Sequence, residues 1–269
     1  MKKSTKLIAA GLLAAALLSV GIYALRQLQS ENKDYEEEAI QHEEMMVYRP
    51  TAEFAAAEGT QAQETMQEYM PDSRENDRYE APAEEVSQDN PTVIRLTEDY
   101  PDAVGWISVP GTRVDYAFVQ GPDNFYYLRK GLNRQYLYAG TIYIDVSANK
   151  DFTSFNTVFY GHNLRNSTMF GDLAKFQRRD FFAAHDTIVV YLPHKTIRAK
   201  IIACVTSTVK AAPYLYSSEQ TEDFMAKLKK GSQHFRDPEY ENPSFLTLST
   251  CGYDYEGERI IIVAAYEGD

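Results

Sequence analysis

Eight short runs of β-forming residues between Trp106 and Tyr266 restrict the fold more than any other feature of this chain. They cover 106–109, 114–119, 141–144, 157–160, 187–192, 196–206, 245–250 and 260–266. The last pair is the clearest. Phe245, Thr247 and Ser249 alternate with Leu246, Leu248 and Thr250, a period of two that runs into Cys251. Gly252, Asp254 and Gly257 supply a turn, and Arg259 leads into Ile260, Ile261, Ile262 and Val263. Helical patterns occur at 93–99, ending before Pro101, and at about 124–128, 167–184 and 218–234, the last with Phe224, Met225 and Leu228 at helical spacing. Many short strands and few long helices predict an antiparallel barrel or sandwich, and spacing alone does not choose between them.

The N-terminal third has a different character. After MKKSTK, Leu7 to Leu25 is a run of 19 residues without a charge. As a helix it would measure about 28 Å, the thickness of a bilayer's hydrocarbon core. Lys2, Lys3 and Lys6 precede it and only Arg26 follows closely. That bias predicts a cytoplasmic N-terminus at 1–6, a transmembrane signal anchor at 7–25, and a single-pass cell-membrane protein whose remaining residues lie outside the cell. A cleaved signal peptide is the alternative, disfavoured because no A-x-A site follows the run. From 27 to 90, 18 Asp and Glu stand against 4 Lys and Arg, so this stretch at −14 outweighs the whole 269-residue chain at −12. Such a segment predicts an acidic flexible tether over 26–90, at most a transient helix over 29–48, with Met45 and Met46 too isolated to form a core face. One domain, 91–269, remains. Nothing basic and aromatic-interleaved points to nucleic acid.

Chemistry concentrates at the strand ends. Cys251 and Arg259 flank one hairpin mouth, where a fixed cation favours thiolate and a guanidinium can hold a developing oxyanion. His162, in VFYGHN, follows the apolar run 157–160 and supplies a proton carrier, with Gly161 permitting a tight backbone and Asn163 able to fix the loop. Of the five histidines, His42 falls in the tether, and His185, His194 and His234 read as surface or satisfied residues. No pair of them has metal-ligand spacing with other donors, so neither a metal nor a cofactor is expected. Cys204, inside AKIIACVTST, reads as a buried small hydrophobe and not as a disulfide partner of Cys251. Asp254 is a further candidate for orienting the histidine or arginine.

TLSTC with an arginine eight positions on, together with YGHN upstream, resembles a sortase over about 94–267. LRNSTMFGDLAKF and the helix-sized insert before the last hairpin resemble class B. The resemblance implies a mostly-β fold: an eight-stranded sortase-type β-barrel with N-terminal helices and a long helix before the penultimate strand, here 218–234. It implies a cell-wall-sorting cysteine transpeptidase of the peptide-hydrolase class. Cys251 would be the nucleophile, His162 the proton carrier and Arg259 the oxyanion stabiliser. Substrate contacts would fall on Asn124, Leu128, Tyr160, Ser249 and Thr250. The implied partners are secreted proteins with a C-terminal sorting signal, an amine of a peptidoglycan precursor in a Gram-positive wall, and the membrane through the N-terminal helix. Two features depart from the family pattern: Gly252 stands where a larger or charged residue is frequent, and eight positions from cysteine to arginine is short for class B. Three other readings stay open. They are a secreted cysteine hydrolase with water as acceptor, a pilus-type sortase, and a catalytically silent tethered barrel.

Overall fold

A computed structural model describes residues 2–50, 89–212, 221–251 and 257–268; of Ala211, Cys251 and residues 2–15 the backbone alone is described. Among the described residues the strands are β1 (Ala103–Ser108), β2 (Asp115–Val119), β3 (Ile142–Ile144), β4 (Asn156–Tyr160), β5 (Thr187–Leu192), β6 (Lys195–Thr208), β7 (His234–Phe235), β8 (Pro243–Cys251) and β9 (Glu258–Glu267). The helices are α1 (Lys2–Met45), α2 (Pro91–Asp99), α3 (Arg179–Ala184) and α4 (Thr221–Gly231).

The sheet runs β5-β1-β2-β3-β4-β8-β9-β6-β7, and β5 also pairs with β6. That pairing closes eight strands into a barrel and leaves the two-residue β7 on the flank of β6. Closure is possible because β6 is long: Lys195 to Lys200 face β5, while Lys200 to Thr208 face β9. Two pairings are parallel, β2 with β3 and β4 with β8. All eight expected runs are strands, and the barrel they form decides against a sandwich.

Alternation sorts the side chains. Leu246 and Leu248 of β8 and Ile260, Ile262, Ala264 and Tyr266 of β9 fill the barrel interior with Phe118, Phe159 and Ile142. Their neighbours Phe245, Ile261, Val263 and Ala265 face outward, under Phe224 and Leu228 of α4. Both faces of β9 are covered, which is why residues 260–266 read as a continuous apolar run. A fully buried Phe or Leu of this kind contributes about 1.5–3 kcal/mol through area removed from water. Pro91 at the first turn of α2 suits its fixed φ, and Val93 and Leu96 seat that helix against Trp106 in a second cluster.

Some helical expectations shift. The 167–184 pattern splits into a 3-10 segment at Gly171–Gln177 and α3, because Arg178 between them is extended. At 124–128 the helix is one 3-10 turn, Tyr126–Arg129. The helix expected at 218–234 is α4, and residues 213–220 before it lie outside the described residues.

The N-terminal third requires two corrections. The run 7–25 is not a separate span. It opens a 44-residue helix that continues unbroken through Arg26, Lys33, Asp34, Glu36, Glu37 and Glu38. Among the described residues no helix is long and apolar enough to cross a membrane. The uncharged run ends at Leu25, and the same helix goes on to Met45 through a segment rich in charge. The single-pass anchor, the cell-membrane location, the membrane as partner and the orientation drawn from it are therefore withdrawn.

Nor does the tether begin at 26. Residues 31, 34, 35, 38, 41, 42 and 45, at three- and four-residue spacing, are the shielded positions on the last turns of α1, which lie against the barrel. Met45, 8 % exposed, joins the second core cluster, and Tyr35 packs on the first. Below them the Arg49 guanidinium meets Asp115 at 2.6 Å. The rest of the expected tether, 51–88, lies outside the described residues.

Candidate active site

The parallel pairing of β4 with β8 puts the sequence-predicted residues together. Tyr160 pairs with Ser249, so His162 and Cys251 each follow two residues beyond a matched pair and leave the sheet at the same end. Two hydrogen bonds continue the register past the strand. The Gly161 amide donates to the Ser249 carbonyl at 3.3 Å, and the Thr250 hydroxyl donates to the Gly161 carbonyl at 2.8 Å. Across the hairpin, Cys251 is paired with Arg259. Directly opposed residues of an antiparallel pair share a face of the sheet. It is the outward face, the one carrying Phe245 and Ile261, and Cys251 lies six residues, about 20 Å, along β8 from Phe245.

His162 is the best defined member. Its Nε2 lies 2.7 Å from the Leu128 carbonyl oxygen. A carbonyl only accepts, so Nε2 carries the proton and Nδ1 of the neutral ring keeps its lone pair. Burial pushes its pKa below the usual 6.5; the Leu128 carbonyl opposes this and the charge of Arg129 adds to it. A neutral imidazole poised in this way is suited to accept a proton from a thiol.

Arg259 donates through Nη1 to the carbonyl of Glu258 at 2.8 Å, which turns the guanidinium back along its own strand. Asp254 and Gly252 lie outside the described residues.

The five expected substrate contacts fall into two groups. Asn124 and Leu128 lie in the β2–β3 connection, and Tyr160 ends β4. Asn124 Nδ2 and the Tyr160 hydroxyl both donate to Asp145 Oδ2, at 2.8 and 3.0 Å, and the Tyr143 hydroxyl donates to the Asn124 carbonyl at 2.8 Å. Burial raises the Asp145 pKa, but hydrogen bonds from Ser147, Tyr160 and Asn124 outweigh it and hold the carboxyl below the usual carboxylate range. Asp145 thus stays ionised and ties this connection to the end of β3. Sequence reasoning missed it, although an aspartate directly after the run 141–144 was visible. Ser249 and Thr250 form the other group; both are buried at 2 % exposed.

The remaining histidines have local partners. His185 stacks on Phe181, His194 Nδ1 is 2.7 Å from Asp89, and His234 Nε2 is 2.8 Å from the Gln177 carbonyl. His42, expected in the tether, packs against the Tyr116 ring. Cys204 is a free buried thiol whose pKa burial pushes up to about 12. Among the described residues no group of three or more His, Cys, Asp or Glu could hold a metal ion.

The family model of the Sortase domain matches residues 107–267, more than half of the chain, and covers every residue named in the site. The chain belongs to the sortase family. Sortase B of Listeria monocytogenes is 32% identical over 169 residues, which cover 60% of this chain and 68% of that protein. Among solved structures, Clostridium perfringens sortase B superposes with a TM-score of 0.60 at 33% identity, covering 64% of this chain and 98% of that one. A Staphylococcus aureus sortase B–substrate complex gives a TM-score of 0.60 at 26% identity, covering 67% and 86%. These likenesses make this sortase a class B member, a transpeptidase by family, and the eight-stranded barrel is the architecture they share.

In this sortase the Thr250 hydroxyl ties β8 to the segment that follows β4. Thr250→Val keeps the shape but leaves the Gly161 carbonyl without its donor. It is expected to lower stability by about 1 kcal/mol, read as an earlier urea midpoint at unchanged slope.

Proposed function

We propose that this sortase cleaves a C-terminal sorting signal of secreted proteins and transfers the acyl group to an amine of a cell-wall peptide. Cys251 is the nucleophile, His162 the proton carrier and Arg259 the oxyanion stabiliser. The observation that carries this reading is the convergence at one sheet end: His162 and Cys251 follow a matched pair on parallel strands, and Arg259 is the partner of Cys251.

The Cys251 thiol gives its proton to His162, and the sulfur attacks the carbonyl carbon of the scissile peptide bond. Negative charge gathers on the carbonyl oxygen, where the Arg259 guanidinium, turning from the Glu258 carbonyl, and a backbone N–H near Cys251 stabilise it. As the C–N bond breaks, His162 returns the proton to the leaving amine and a thioester remains. An incoming amine then attacks that thioester, loses a proton to His162 and expels the sulfur, which regains the proton. No cofactor enters the scheme.

Asn124, Leu128, Tyr160, Ser249 and Thr250 form the substrate side of the site in this reading. Asn124, Leu128 and Tyr160, held by Asp145 and by the His162 contact, offer a half-buried wall along which an extended peptide can lie. Ser249 and Thr250 act from beneath by holding the loop that carries His162. Staphylococcus aureus sortase B is known as a substrate complex, which supports a substrate site in a barrel of this kind.

Incubating the enzyme with a sorting peptide and an amine nucleophile distinguishes transfer from hydrolysis. A ligated product whose yield rises with amine concentration is expected. Cleavage indifferent to the amine would mark a cysteine hydrolase instead, and no cleavage of any member of a sorting-peptide library would favour a silent barrel.

A further inference from the structure

We propose that Glu38, on the last turns of α1, is a positioning residue for His162, acting through the loop that follows it. The inference rests on the reading of His162 as proton carrier and adds a part of the chain to which that reading gives no role.

Glu38 is 5 % exposed, an unusual place for a carboxylate on a helix of otherwise charged surface. It has two partners, both in the loop after the histidine: Asn166 Nδ2 donates to Oε2 at 3.3 Å and the Thr168 hydroxyl at 3.1 Å. The loop doubles back on the histidine itself. Asn163 bridges to Met169, and the Phe170 amide donates to the His162 carbonyl at 2.9 Å. Phe170 packs so close to Gly161 that a Cβ there would meet its ring at 2.7 Å. Ser167 and Met169 hold positive φ angles of 64° and 52°, conformations that a non-glycine residue keeps only when its surroundings impose them. Glu38 is one such constraint.

The same helix also meets the connection on which the imidazole rests. Gln41 lies over Gly131, where an added Cβ would meet its amide oxygen at 2.3 Å, in the connection whose Leu128 carbonyl receives the His162 proton. One helix face therefore touches both segments that hold the imidazole. The other groups packed here are Tyr116, whose hydroxyl accepts from the Met169 amide at 3.1 Å, and Arg113, which donates to the Asn166 carbonyl at 2.6 Å. The Arg113 amide also donates to Asp172 at 3.0 Å, Lys175 pairs with Asp172, and His42 and Tyr35 lie on the face of α1 itself.

In the full chain, Glu38→Ala is expected to lower kcat for transfer about tenfold with KM for a short sorting peptide within about twofold, since the loss is of geometry. The acid limb of the pH profile should move up toward the ordinary histidine value as water reaches the ring. The imidazole titration followed by NMR should move with it, a readout that needs no turnover. Glu38→Gln, which keeps an oxygen acceptor for Asn166 and Thr168, should recover most of the rate. The paired change Asn166→Ala and Thr168→Val cuts the same bonds from the loop side and should reproduce the Glu38→Ala profile. An unchanged His162 titration and kcat in both Glu38→Ala and the loop pair overturns the proposal, as does a Glu38→Gln enzyme impaired like Glu38→Ala. If Glu38→Ala does not fold, the loop pair decides by the same two readouts. A wild-type chain without amine-dependent product would refute the transfer reading and leave the NMR comparison standing.

Discussion

Cys251→Ala is expected to abolish thioacyl capture of a sorting peptide and to lower turnover at least about a thousandfold, because in the proposed mechanism the Cys251 sulfur forms the covalent intermediate. The fold should survive. Cys251 is the last residue of β8, and alanine can keep the backbone pairing with Arg259. Intact-mass measurement of enzyme mixed with peptide should give an adduct for the wild type and none for the variant, with melting temperatures agreeing to about 3 °C. Wild-type turnover by the alanine variant would remove the cysteine from the mechanism.

The second large effect belongs to the histidine. His162→Asn should cost about a hundredfold to ten-thousandfold in kcat/KM, the range expected when a positioned general acid and base is lost. The asparagine amide reaches only the place of Nδ1, so the Nε2 bond to the Leu128 carbonyl is lost together with the proton transfer. The pH dependence carries a sign. Burial disfavours the charged ring, so the folded pKa lies below 6.5, and the acid limb of wild-type kcat/KM should have its midpoint below that value. A depressed pKa also couples to folding. The unfolded chain binds the proton first as pH falls, so the contribution to stability is complete above 6.5 and is lost as pH falls through the folded value. The slope is at most about 1.4 kcal/mol per pH unit for this one group. His42, also lowered by burial, adds a loss of the same sign that His162→Asn leaves in place. Denaturation of wild type and variant between pH 7 and 5 should therefore differ in slope. Parallel stability curves, with an acid limb retained in the variant, would exclude His162 as the titrating group.

How much of this was legible in the chain depended on where the determining contacts lie. The eight strands are written in local pattern: 245–250 was readable from its period of two, and 260–266 as a continuous apolar run rich in β-branched residues. The two-residue β7 has no such pattern; it exists only because Ala203 and Cys204 of β6 offer it an edge. Closure through β5 and β6, which separates barrel from sandwich, depends on the length and curvature of β6 and not on composition.

The site divides along the same line. Motifs flagged Cys251, His162 and Arg259, but the bond from Thr250 to Gly161 follows from a parallel pairing between segments 89 residues apart, which no local signal encodes. The docking of α1 was missed for a different reason. Its buried face is made mostly of polar residues, Glu31, Asp34, Glu38, Gln41 and His42, with only Tyr35 and Met45 apolar, so a search for hydrophobic periodicity passes over it. Seven positions at three- and four-residue spacing, aromatic or methionine at two of them, were the signal available. The apolar run at 7–25 misled in the opposite sense, since a stretch long enough to suggest a span is the opening of a mixed helix.

The parallel seam between β4 and β8 has one more consequence. A ribosome delivers His162 well before Cys251 and Arg259, and the strand that brings the sulfur must enter beside one made about ninety residues earlier. Pairings so remote in sequence form late, after the cost of closing a long loop has been met. A half-made or partly opened barrel therefore carries the imidazole without its thiol partner. In the proposed mechanism the emerging chain then lacks thioester chemistry, and appearance of activity should report completion of the whole β-wall.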